Sequence, residues 1–550
     1  MGKPVVDYSL YLVTDSTPAI LGSRNLVAVV EAAVKGGVTL VQYRDKTSDT
    51  RVLVDTAREL HAVTKKYGVP LLINDRVDVA LAVGCEGVHI GQDDMDLPTA
   101  RKLLGEDKII GVSASTIEEA QTACDQGADY LGLGAVFSTP TYHSSSRRHM
   151  KNPSKSNTKN VLGVSGLRAL LSSLFSTHPS IKTVCIGGLN ASNLQRVLYQ
   201  SATDGKPADG VALVSAIVAA EDPEAESRKL LELVRAPPAF VRRAGLVSAR
   251  VQDVEGVLGR VREVVTAVDE TTPLSHNMTN LVVQNFAANV ALAVGGSPIM
   301  ANYGEEAADL AALGGALVVN MGTVTPDALE NYAKALKAYN LAGGPVIFDP
   351  VGAGATSVRR NAVKAIMAAG YLDIIKGNEG EILTVDAVTS SSSKMHQQRG
   401  VDSSHTLSLE EKAALVRTVA RRERNVVVCT GKTDVVSDGQ RTFAVSNGHE
   451  MLGRVTGTGC VLGTTISAFA AAYGGDEGAP GSGGRGGDRL VAAVAALVLF
   501  GVAGERAAER EGVQGPGGFV PAFIDELYKV RKETVAGDLG WLKRARVEML

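Results

Sequence analysis

The stretch Val234-Arg-Ala-Pro-Pro-Ala-Phe-Val-Arg-Arg243 divides this chain of 550 residues into two segments with different sequence patterns. Pro237 and Pro238 lack backbone N–H donors and have a fixed φ, so neither a helix interior nor a central strand can continue through them. Short β-type runs alternate with helical runs before the prolines, whereas long Ala-rich helices and Gly-Gly turns follow them. We therefore predict two α/β domains at 1–235 and 246–550, joined by a linker at 236–245.

The composition of the chain predicts a soluble cytoplasmic protein. A hydrophobic content of 45% is ordinary for globular domains, and a net charge of -3 gives no reason to expect nucleic acid or membrane as a partner. The five cysteines are scattered without metal-ligand spacing, which indicates a reducing compartment. The most apolar run, between Arg489 and Glu505, is shorter than the roughly 18 to 20 residues that span a bilayer, so we predict a buried core helix there.

Eight candidate strands, each followed by a helical run, make up the first segment. Nearly continuous Val, Ile and Leu in strands that alternate with helices predict a parallel sheet covered on both faces. Eight such units in roughly 230 residues predict a (β/α)8 barrel, with an open doubly wound sheet as the alternative. The predicted strands are Leu10–Asp15, Thr39–Arg44, Pro70–Asp75, Gly87–Gly91, Lys108–Ser113, Tyr130–Phe137, Thr183–Gly188 and Gly210–Ser215.

Polar or glycine-rich residues end seven successive strands, at the face where barrel enzymes carry their chemistry. Carboxylates beside Arg and Lys suit a magnesium diphosphate, and a Gly-Gly followed by a Ser on the last two strands suits a phosphate bound through backbone N–H groups. The first segment is therefore predicted to join two phosphorylated molecules. The residues concerned are Gln42, Arg44, Lys46, Asn74, Asp75, Asp94, Ser113, Thr139, Thr141, Gly188, Val214 and Ser215.

Five motifs together resemble thiamine-phosphate synthase over essentially residues 5–235. They are Tyr11-Leu-Val-Thr-Asp15, Val41-Gln-Tyr-Arg-Asp-Lys46, Ile73-Asn-Asp-Arg76, Gly87-Val-His-Ile-Gly-Gln-Asp-Asp94 and Ala128-Asp-Tyr-Leu-Gly-Leu-Gly134. The resemblance implies that an aminopyrimidine loses diphosphate and that the nitrogen of a thiazole phosphate captures the resulting carbon cation. It further implies three groups of site residues: Gln42, Arg44, Lys46, Asn74 and Ser113 for the pyrimidine diphosphate; Asp75 and Asp94 for Mg²⁺; and Thr139, Thr141, Gly188, Val214 and Ser215 for the thiazole phosphate.

A polar insertion at 142–154 separates Thr141 from the lysine that the family places directly after Thr-Pro-Thr. We assign Lys155 to that position as a further residue for the pyrimidine diphosphate, with Lys151 as the second choice. The resemblance implies that this lysine reaches the diphosphate.

The second segment is again α/β, with its strands predicted as one open layer between helices. Its clearest motif is Val455-Thr-Gly-Thr-Gly-Cys460, which opens the apolar helix predicted at Val461–Tyr473. Glycines let the backbone approach an anion, and the helix N-terminus stabilises charge on a transferred phosphoryl group. The same dipole is expected to lower the pKa of the Cys460 thiol, which could then act as a base. The predicted strands are Ala316–Asn320, Pro345–Asp349, Asp373–Lys376 and Asn425–Thr430.

Together with Phe348-Asp-Pro-Val-Gly-Ala-Gly354 and Lys376-Gly-Asn-Glu-Gly-Glu381, this motif resembles hydroxyethylthiazole kinase, a ribokinase-like enzyme, over roughly residues 245–545. The resemblance implies ATP as co-substrate and Cys460 as the acceptor of the proton of the substrate hydroxyl. The other implied residues are Met300 and Gly457 for the thiazole, Asp349 and Glu381 for Mg²⁺, and Lys376 and Thr430 for ATP.

The two resemblances fit one another, because the product of the kinase is a substrate of the synthase. We therefore predict a bifunctional enzyme of thiamine biosynthesis, of the fungal fusion type, with small-molecule substrates and a homo-oligomeric assembly. Two alternatives stay open: a ribokinase-like kinase for another small alcohol with a degenerate barrel, and a regulatory protein that binds both metabolites without turnover.

Overall fold

A computed structural model describes residues 3–138, 161–203, 206–242, 251–390, 407–473 and 487–550. Contacts within the chain divide it into two compact units, Met1–Pro237 and Pro238–Leu550. The division falls inside the predicted linker, between its two prolines. Thr139, Thr141, Lys151 and Lys155 lie outside the described residues.

Eight parallel strands of the first unit close into a barrel in which each strand pairs with the next and β8 pairs with β1. This closure confirms the predicted barrel and excludes the open sheet. Most strands end earlier than predicted, so Arg44 and Asp75 lie in the loops just beyond them. The strands are β1 Leu10–Val13, β2 Leu40–Tyr43, β3 Leu71–Asn74, β4 Gly87–Ile90, β5 Ile109–Ala114, β6 Tyr130–Gly134, β7 Lys182–Ile186 and β8 Gly210–Leu213.

Helices of the first unit surround the barrel, and their apolar faces pack on the outer side chains of the strands. Capping residues in the sequence set where the helices begin. Thr116 and Glu119 form a reciprocal capping box at the start of one helix, and Asp222 caps another whose first residue is Pro223. The helices are α1 Leu26–Lys35, α2 Thr50–Lys66, α3 Val77–Val83, α4 Leu97–Leu104, α5 Ile117–Asp125, α6 Gly163–Thr177, α7 Leu194–Ser201, α8 Ser215–Val218 and α9 Pro223–Arg235.

The second unit contains one sheet of nine strands in the order β10-β9-β11-β12-β13-β14-β15-β16-β17. Its first six strands are parallel, and the last three join in antiparallel fashion. The four strands predicted from the sequence are β11 to β14, in the middle of the sheet, and the other five were missed. The strands are β9 Leu274–Met278, β10 Ser297–Ile299, β11 Ala316–Asn320, β12 Val346–Asp349, β13 Ile374–Asn378, β14 Val426–Thr430, β15 Asp434–Ser437, β16 Thr442–Val445 and β17 Val547–Met549.

Helices cover both faces of this sheet, as predicted for an open α/β layer. They are α10 Ala239–Arg242, α11 Val254–Thr271, α12 Gln284–Val294, α13 Ala307–Ala312, α14 Pro326–Ala342, α15 Ser357–Ala369, α16 Glu379–Thr389, α17 Leu409–Glu423, α18 Thr458–Ala472, α19 Arg489–Ala508 and α20 Pro516–Val535. Short 3-10 turns lie at Gly304–Glu306, Met321–Thr323, Glu450–Arg454 and Gly540–Arg544.

Helix α19 is long and apolar enough to cross a membrane by length and composition, so the predicted apolar run was too short. However, 94% of its most apolar window is buried inside the protein, where it packs with α18 and α20. Because α19 is buried on nearly all sides, it has no polar face. The prediction of a core helix is confirmed by this burial.

Candidate active sites

One cavity of about 1010 Å³ lies at the carboxyl ends of the barrel strands. Every predicted site residue of the first unit that the structure describes lines it, and the three at 139–160 fall outside the described residues. This convergence arises because parallel barrel strands all end at the same face. The lining residues predicted from the sequence are Gln42, Arg44, Lys46, Asn74, Asp75, Asp94, Ser113, Gly188, Val214 and Ser215.

Two carboxylates form the acidic side of this cavity. The Nζ of Lys46 lies 3.2 Å from Oδ2 of Asp75, and Oδ2 of Asp94 accepts a hydrogen bond of 2.7 Å from the backbone N–H of Gly91. Burial raises the pKa of Asp75 to about 6, and its hydrogen bond with Asp94 contributes to the same shift. The two neighbouring carboxyl groups supply hard oxygen atoms of the kind that Mg²⁺ takes as ligands once they are ionised.

The buried carboxylate of Asp15 orients the guanidinium of Arg44, in the loop that follows the neighbouring strand β2. Nη1 of Arg44 lies 3.5 Å from Oδ2 of Asp15, which is buried, and the backbone N–H of Arg44 donates to Oγ1 of Thr14 at 2.9 Å. These contacts hold the start of the arginine side chain while its charge remains available to an anion in the cavity. Asp15 and Thr14 were not predicted as site residues.

A chain of polar side chains connects the strand ends of the second unit. Oδ2 of Asp349 lies 3.2 Å from Nζ of Lys376 and accepts a 3.0 Å hydrogen bond from Nδ2 of Asn320. Oδ1 of Asn320 accepts from Nδ2 of Asn280 at 3.0 Å, and that nitrogen also lies 3.7 Å from Sγ of Cys460. The two asparagines were missed by the sequence analysis. They follow or end β9 and β11, which neighbour each other in the sheet.

Asp349 is fully buried, and burial raises the pKa of its carboxyl group. Its second oxygen, Oδ1, has no hydrogen-bond partner within the described part of the chain. An unpartnered buried carboxylate oxygen is costly unless a ligand or ion completes it. Of the predicted metal residues, Asp349 is therefore the one with a buried carboxylate oxygen that is open to a metal ion.

Glu381 is held by the backbone instead. One of its oxygens accepts from the N–H of Gly352 and the other from the N–H of Asn378, each at 2.8 Å. It forms a capping box with Asn378 at the start of α16. Burial and the nearby Asp349 raise the pKa of Glu381 to about 7, so the carboxyl group titrates near neutral pH.

The family model for thiamine monophosphate synthase matches residues 10–217, and the model for the hydroxyethylthiazole kinase family matches residues 265–533. The probable thiamine biosynthetic bifunctional enzyme of Schizosaccharomyces pombe is 40% identical, and the alignment covers 99% of both chains. This chain belongs to the thiamine biosynthetic bifunctional enzymes. The thiamine biosynthetic bifunctional enzyme of Saccharomyces cerevisiae is 38% identical over 96% of this chain and 97% of its own. The hydroxyethylthiazole kinase of Moorella thermoacetica is 44% identical over 49% of this chain and 92% of its own.

The order of the two domains in this bifunctional enzyme agrees with the sequence analysis. The synthase domain is the barrel, and the kinase domain is the second unit, which implies ATP as its co-substrate. The alternatives of a degenerate barrel and of a non-enzymatic regulator have no support in these comparisons, since the Schizosaccharomyces pombe and Saccharomyces cerevisiae relatives, which align over nearly the whole chain, are named as bifunctional enzymes.

The expected ionisation of Cys460 in the kinase domain was wrong. Burial, and next the charge of Asp349, raise the pKa of its thiol to about 11, although Lys376 and the hydrogen bond from Asn280 act in the opposite direction. Cys460 does lie in the first turn of α18, but burial of the thiol, together with the charge of Asp349, outweighs the helix dipole. The thiol is therefore protonated at neutral pH.

The remaining predicted kinase residues lie at three places on the second unit. Thr430 ends β14 and donates to the backbone carbonyl of Gly377 at 3.3 Å, beside the start of α16. Gly457 precedes α18 with a φ of 94°, and a Cβ there would lie 2.5 Å from Cγ1 of Val283. Met300 directly follows β10 and packs against the core.

Replacing Asp75 by asparagine is expected to raise the unfolding temperature of the synthase domain at pH 7. The folded pKa of about 6 exceeds the ordinary value of 3.8, so ionisation of this group opposes folding, increasingly from about pH 4 to about pH 6 and fully above that. The gain should therefore shrink as the pH falls through 6 and disappear below about pH 4. Thermal unfolding of both proteins between pH 4 and pH 8 measures it.

Asp78→Asn is the matched control, because the neighbouring Asp78 is exposed and its ion pair with Arg76 lowers its pKa. Its replacement should give no gain at pH 7. An identical change in unfolding temperature at pH 4 and pH 7 for Asp75→Asn would contradict the assigned cause.

Proposed function

We propose that the kinase domain transfers the γ-phosphoryl group of ATP to 5-(2-hydroxyethyl)-4-methylthiazole. The synthase domain then condenses the thiazole phosphate with 4-amino-2-methyl-5-diphosphomethylpyrimidine to give thiamine phosphate and diphosphate. The observation that carries this proposal is the convergence of ten independently predicted residues on one barrel cavity. Its size suits the two small substrates together.

In the synthase domain, Arg44 and Lys46 are proposed to bind the diphosphate oxygens and stabilise the charge that grows on them as the carbon–oxygen bond breaks. Asp75 and Asp94 are proposed to hold Mg²⁺, which would neutralise the leaving diphosphate. No group of three or more potential metal-binding side chains exists among the described residues. Two carboxylates nevertheless fit this ion, because Mg²⁺ commonly takes one or two carboxylates together with phosphate oxygens and water.

The other synthase residues are proposed to orient the substrates. Gln42, Asn74 and Ser113 would bind the pyrimidine diphosphate, and Gly188, Val214 and Ser215 would bind the thiazole phosphate through backbone N–H groups and a hydroxyl. The roles of Thr139, Thr141 and Lys155 remain predictions. Directional hydrogen bonds of this kind bring the thiazole nitrogen in line with the reacting carbon.

In the kinase domain, the N-terminus of α18 is proposed to bind the γ-phosphoryl group during its transfer from ATP to the substrate hydroxyl. The backbone is open there: a Cβ at Gly459 would lie 3.8 Å from Nζ of Lys376, and one at Gly463 would lie 3.9 Å from Oδ2 of Asp349. The N–H groups of this first turn and Lys376 suit a phosphate, and the open oxygen Oδ1 of Asp349 suits its Mg²⁺. Glu381 is proposed as a second residue for Mg²⁺. Lys376 and Thr430 would contact ATP, and Met300 and Gly457 the thiazole.

A two-stage assay of the purified full chain tests this function. With the thiazole alcohol, ATP and Mg²⁺, we expect thiazole phosphate; after addition of the pyrimidine diphosphate, we expect thiamine phosphate and an equal amount of diphosphate. Binding of both substrates without release of diphosphate would instead favour a regulatory protein. Phosphorylation of another alcohol in preference to the thiazole would overturn the assigned kinase substrate.

We infer a homo-oligomer and a cytoplasmic location. We call Asp349, Lys376, Asn320, Asn280 and Cys460 the kinase cluster. Leu281 and Val282 directly follow Asn280 and are 73% and 75% exposed, and a second copy of the chain would cover them. None of the five cysteines forms a disulfide, which suits a reducing compartment. Analytical ultracentrifugation of the chain and of Leu281→Glu tests the assembly.

Cys460→Ser is expected to lower kinase turnover roughly a hundredfold while the KM for the thiazole stays unchanged, because a serine hydroxyl is much harder to deprotonate. With a thiol pKa of about 11, kinase turnover of the unaltered chain should rise with pH from 7 to 9, and the variant should lose this rise. The comparison is Cys429→Ala, which removes a buried thiol of β14 outside the cluster. A wild-type turnover number in Cys460→Ser would remove this thiol from the mechanism.

A further inference from the structure

Five side chains form a continuous hydrogen-bonded row across the interior of the barrel. Nε2 of Gln42 lies 2.6 Å from the hydroxyl oxygen of Tyr11, which lies 2.7 Å from that of Tyr130. The Tyr130 hydroxyl lies 2.7 Å from Nδ1 of His89, and Nε2 of His89 lies 2.9 Å from Oγ of Ser113. We call Gln42, Tyr11, Tyr130, His89 and Ser113 the polar row.

Four members of the polar row, Gln42, Tyr11, His89 and Ser113, line the synthase cavity, and Tyr130 joins them from outside its lining. Tyr11 and Tyr130 have no significant exposure, and Gln42 and Ser113 both line the cavity. Glycines in the neighbouring strands make room for the row. A Cβ at Gly111 would lie 2.1 Å from the ring of Tyr130, and one at Gly132 would lie 3.0 Å from Cε1 of His89. The absence of side chains at Gly111 and Gly132 therefore leaves the space that Tyr130 and His89 occupy.

Each hydroxyl in the row has one proton, and a neutral imidazole has one N–H. The donor at one end of the row therefore determines which atom donates in each following hydrogen bond. The nitrogen of the Gln42 amide can only donate, so the Tyr11 oxygen accepts from it. Because the Tyr11 hydroxyl is buried, its own proton needs an acceptor, and the Tyr130 oxygen is the one within reach. Tyr130 in turn donates to Nδ1 of His89, which places the ring proton on Nε2. This N–H donates to the Ser113 oxygen and leaves the Ser113 proton free.

The charge state of His89 is consistent with this direction. Burial lowers the pKa of its imidazole to about 4, although the charge of Asp94 opposes the shift. The two contacts of the ring require the same state without reference to its pKa: Nδ1 can accept from Tyr130 only in a neutral ring, in which the other nitrogen donates. A charged ring would donate from both nitrogens and would reverse the bond to Tyr130.

We propose that the polar row positions the pyrimidine diphosphate by presenting Ser113 to it as a hydrogen-bond donor and by fixing the amide of Gln42. Tyr130 does not line the cavity, so it acts through the other members and is a positioning residue; Tyr11 and His89 line the cavity and connect Tyr130 to Gln42 and Ser113. The proposal rests on the synthase function and deepens it: substrate recognition depends on the proton order of a buried row.

Tyr130→Phe interrupts the row without changing the ring. We expect the KM for the pyrimidine diphosphate to rise about tenfold, the equivalent of about 1.4 kcal/mol, because Ser113 and Gln42 then lose their fixed orientation. The KM for the thiazole phosphate should change less than about twofold. Tyr11→Phe breaks the row one bond earlier and should give the same split, which provides a second measurement if Tyr130→Phe does not fold.

Tyr8→Phe is the matched control. Its ring centroid lies 4.9 Å from that of Tyr130, yet its hydroxyl makes no hydrogen bond in the part of the chain that the structure describes. Both KM values should stay unchanged in this variant. Wild-type KM values in Tyr130→Phe, or an equal rise in both, would overturn the proposal.

The tautomer of His89 gives a readout that does not depend on activity. Among the nine histidines of the ¹⁵N-labelled chain, His89 is the signal that His89→Asn removes. We expect a neutral ring protonated on Nε2 in the unaltered chain and a mixture of tautomers in Tyr130→Phe. A proton on Nδ1 in the unaltered chain would overturn the proton order. Absence of synthase turnover in that chain would overturn the proposed function, while the tautomer still tests the row.

Discussion

Asp94→Asn is expected to lower synthase turnover about a thousandfold, the upper range for loss of one electrostatic group in an active site. The backbone N–H of Gly91 orients one oxygen of Asp94, and its hydrogen bond with Asp75 brings the two carboxylates together. An amide at this position keeps the shape but removes a negative charge and a strong oxygen ligand for Mg²⁺. The apparent affinity for Mg²⁺ should fall together with turnover.

The kinase activity of the same protein should remain unchanged, because the kinase cluster belongs to the other compact unit. Asp93→Asn is the matched control in the same loop, because it removes the same charge from an exposed residue outside the hydrogen-bonded pair of Asp75 and Asp94. Turnover of both reactions is measured on one preparation. Equal loss of synthase and kinase activity in Asp94→Asn would argue for a shared site and against two independent domains.

Asp349→Asn is expected to lower kinase turnover about a thousandfold and to leave the synthase active. Asp349 is the central carboxylate of its cluster: one oxygen contacts Lys376 and Asn320, and the other is buried without a partner among the described residues. An asparagine could keep the bond to one neighbour but would remove the carboxylate that contacts Lys376 and leave Glu381 as the remaining nearby acidic side chain. The ATP-dependent formation of thiazole phosphate measures the loss.

Asp373→Asn distinguishes this effect from simple disruption of a buried charge. Asp373 is buried at the opposite end of the parallel strands, where it accepts from the backbone N–H of Val346 and pairs with Arg489 at 3.5 Å. Its replacement should lower the unfolding temperature, whereas turnover per folded molecule should persist. Comparable losses of turnover in the two variants would show that Asp349 serves stability alone.

The barrel and its cavity were predictable from the sequence because their determinants are local and repeated. Alternation of apolar strands and helices predicts a parallel barrel, and the residue after each strand then lies at a known face. In the second unit, β9 was missed because Ser275, His276 and Asn277 are polar but buried. Their partners are distant in sequence: Oγ of Ser275 lies 2.6 Å from that of Ser467, and Oδ1 of Asn277 accepts from Thr464 at 2.8 Å.

Local pattern alone therefore specifies the two α/β domains, the break at Pro237 and Pro238 and most of the polar strand ends, since periodicity and proline geometry act over a few residues. Protonation and hydrogen-bond direction depend on folding. The raised pKa of Cys460 comes from burial beside Asp349, and the link from Tyr11 through Tyr130 to His89 joins residues from three strands. Desolvation and charge–charge interactions depend on distance in space, and only the folded chain sets that distance.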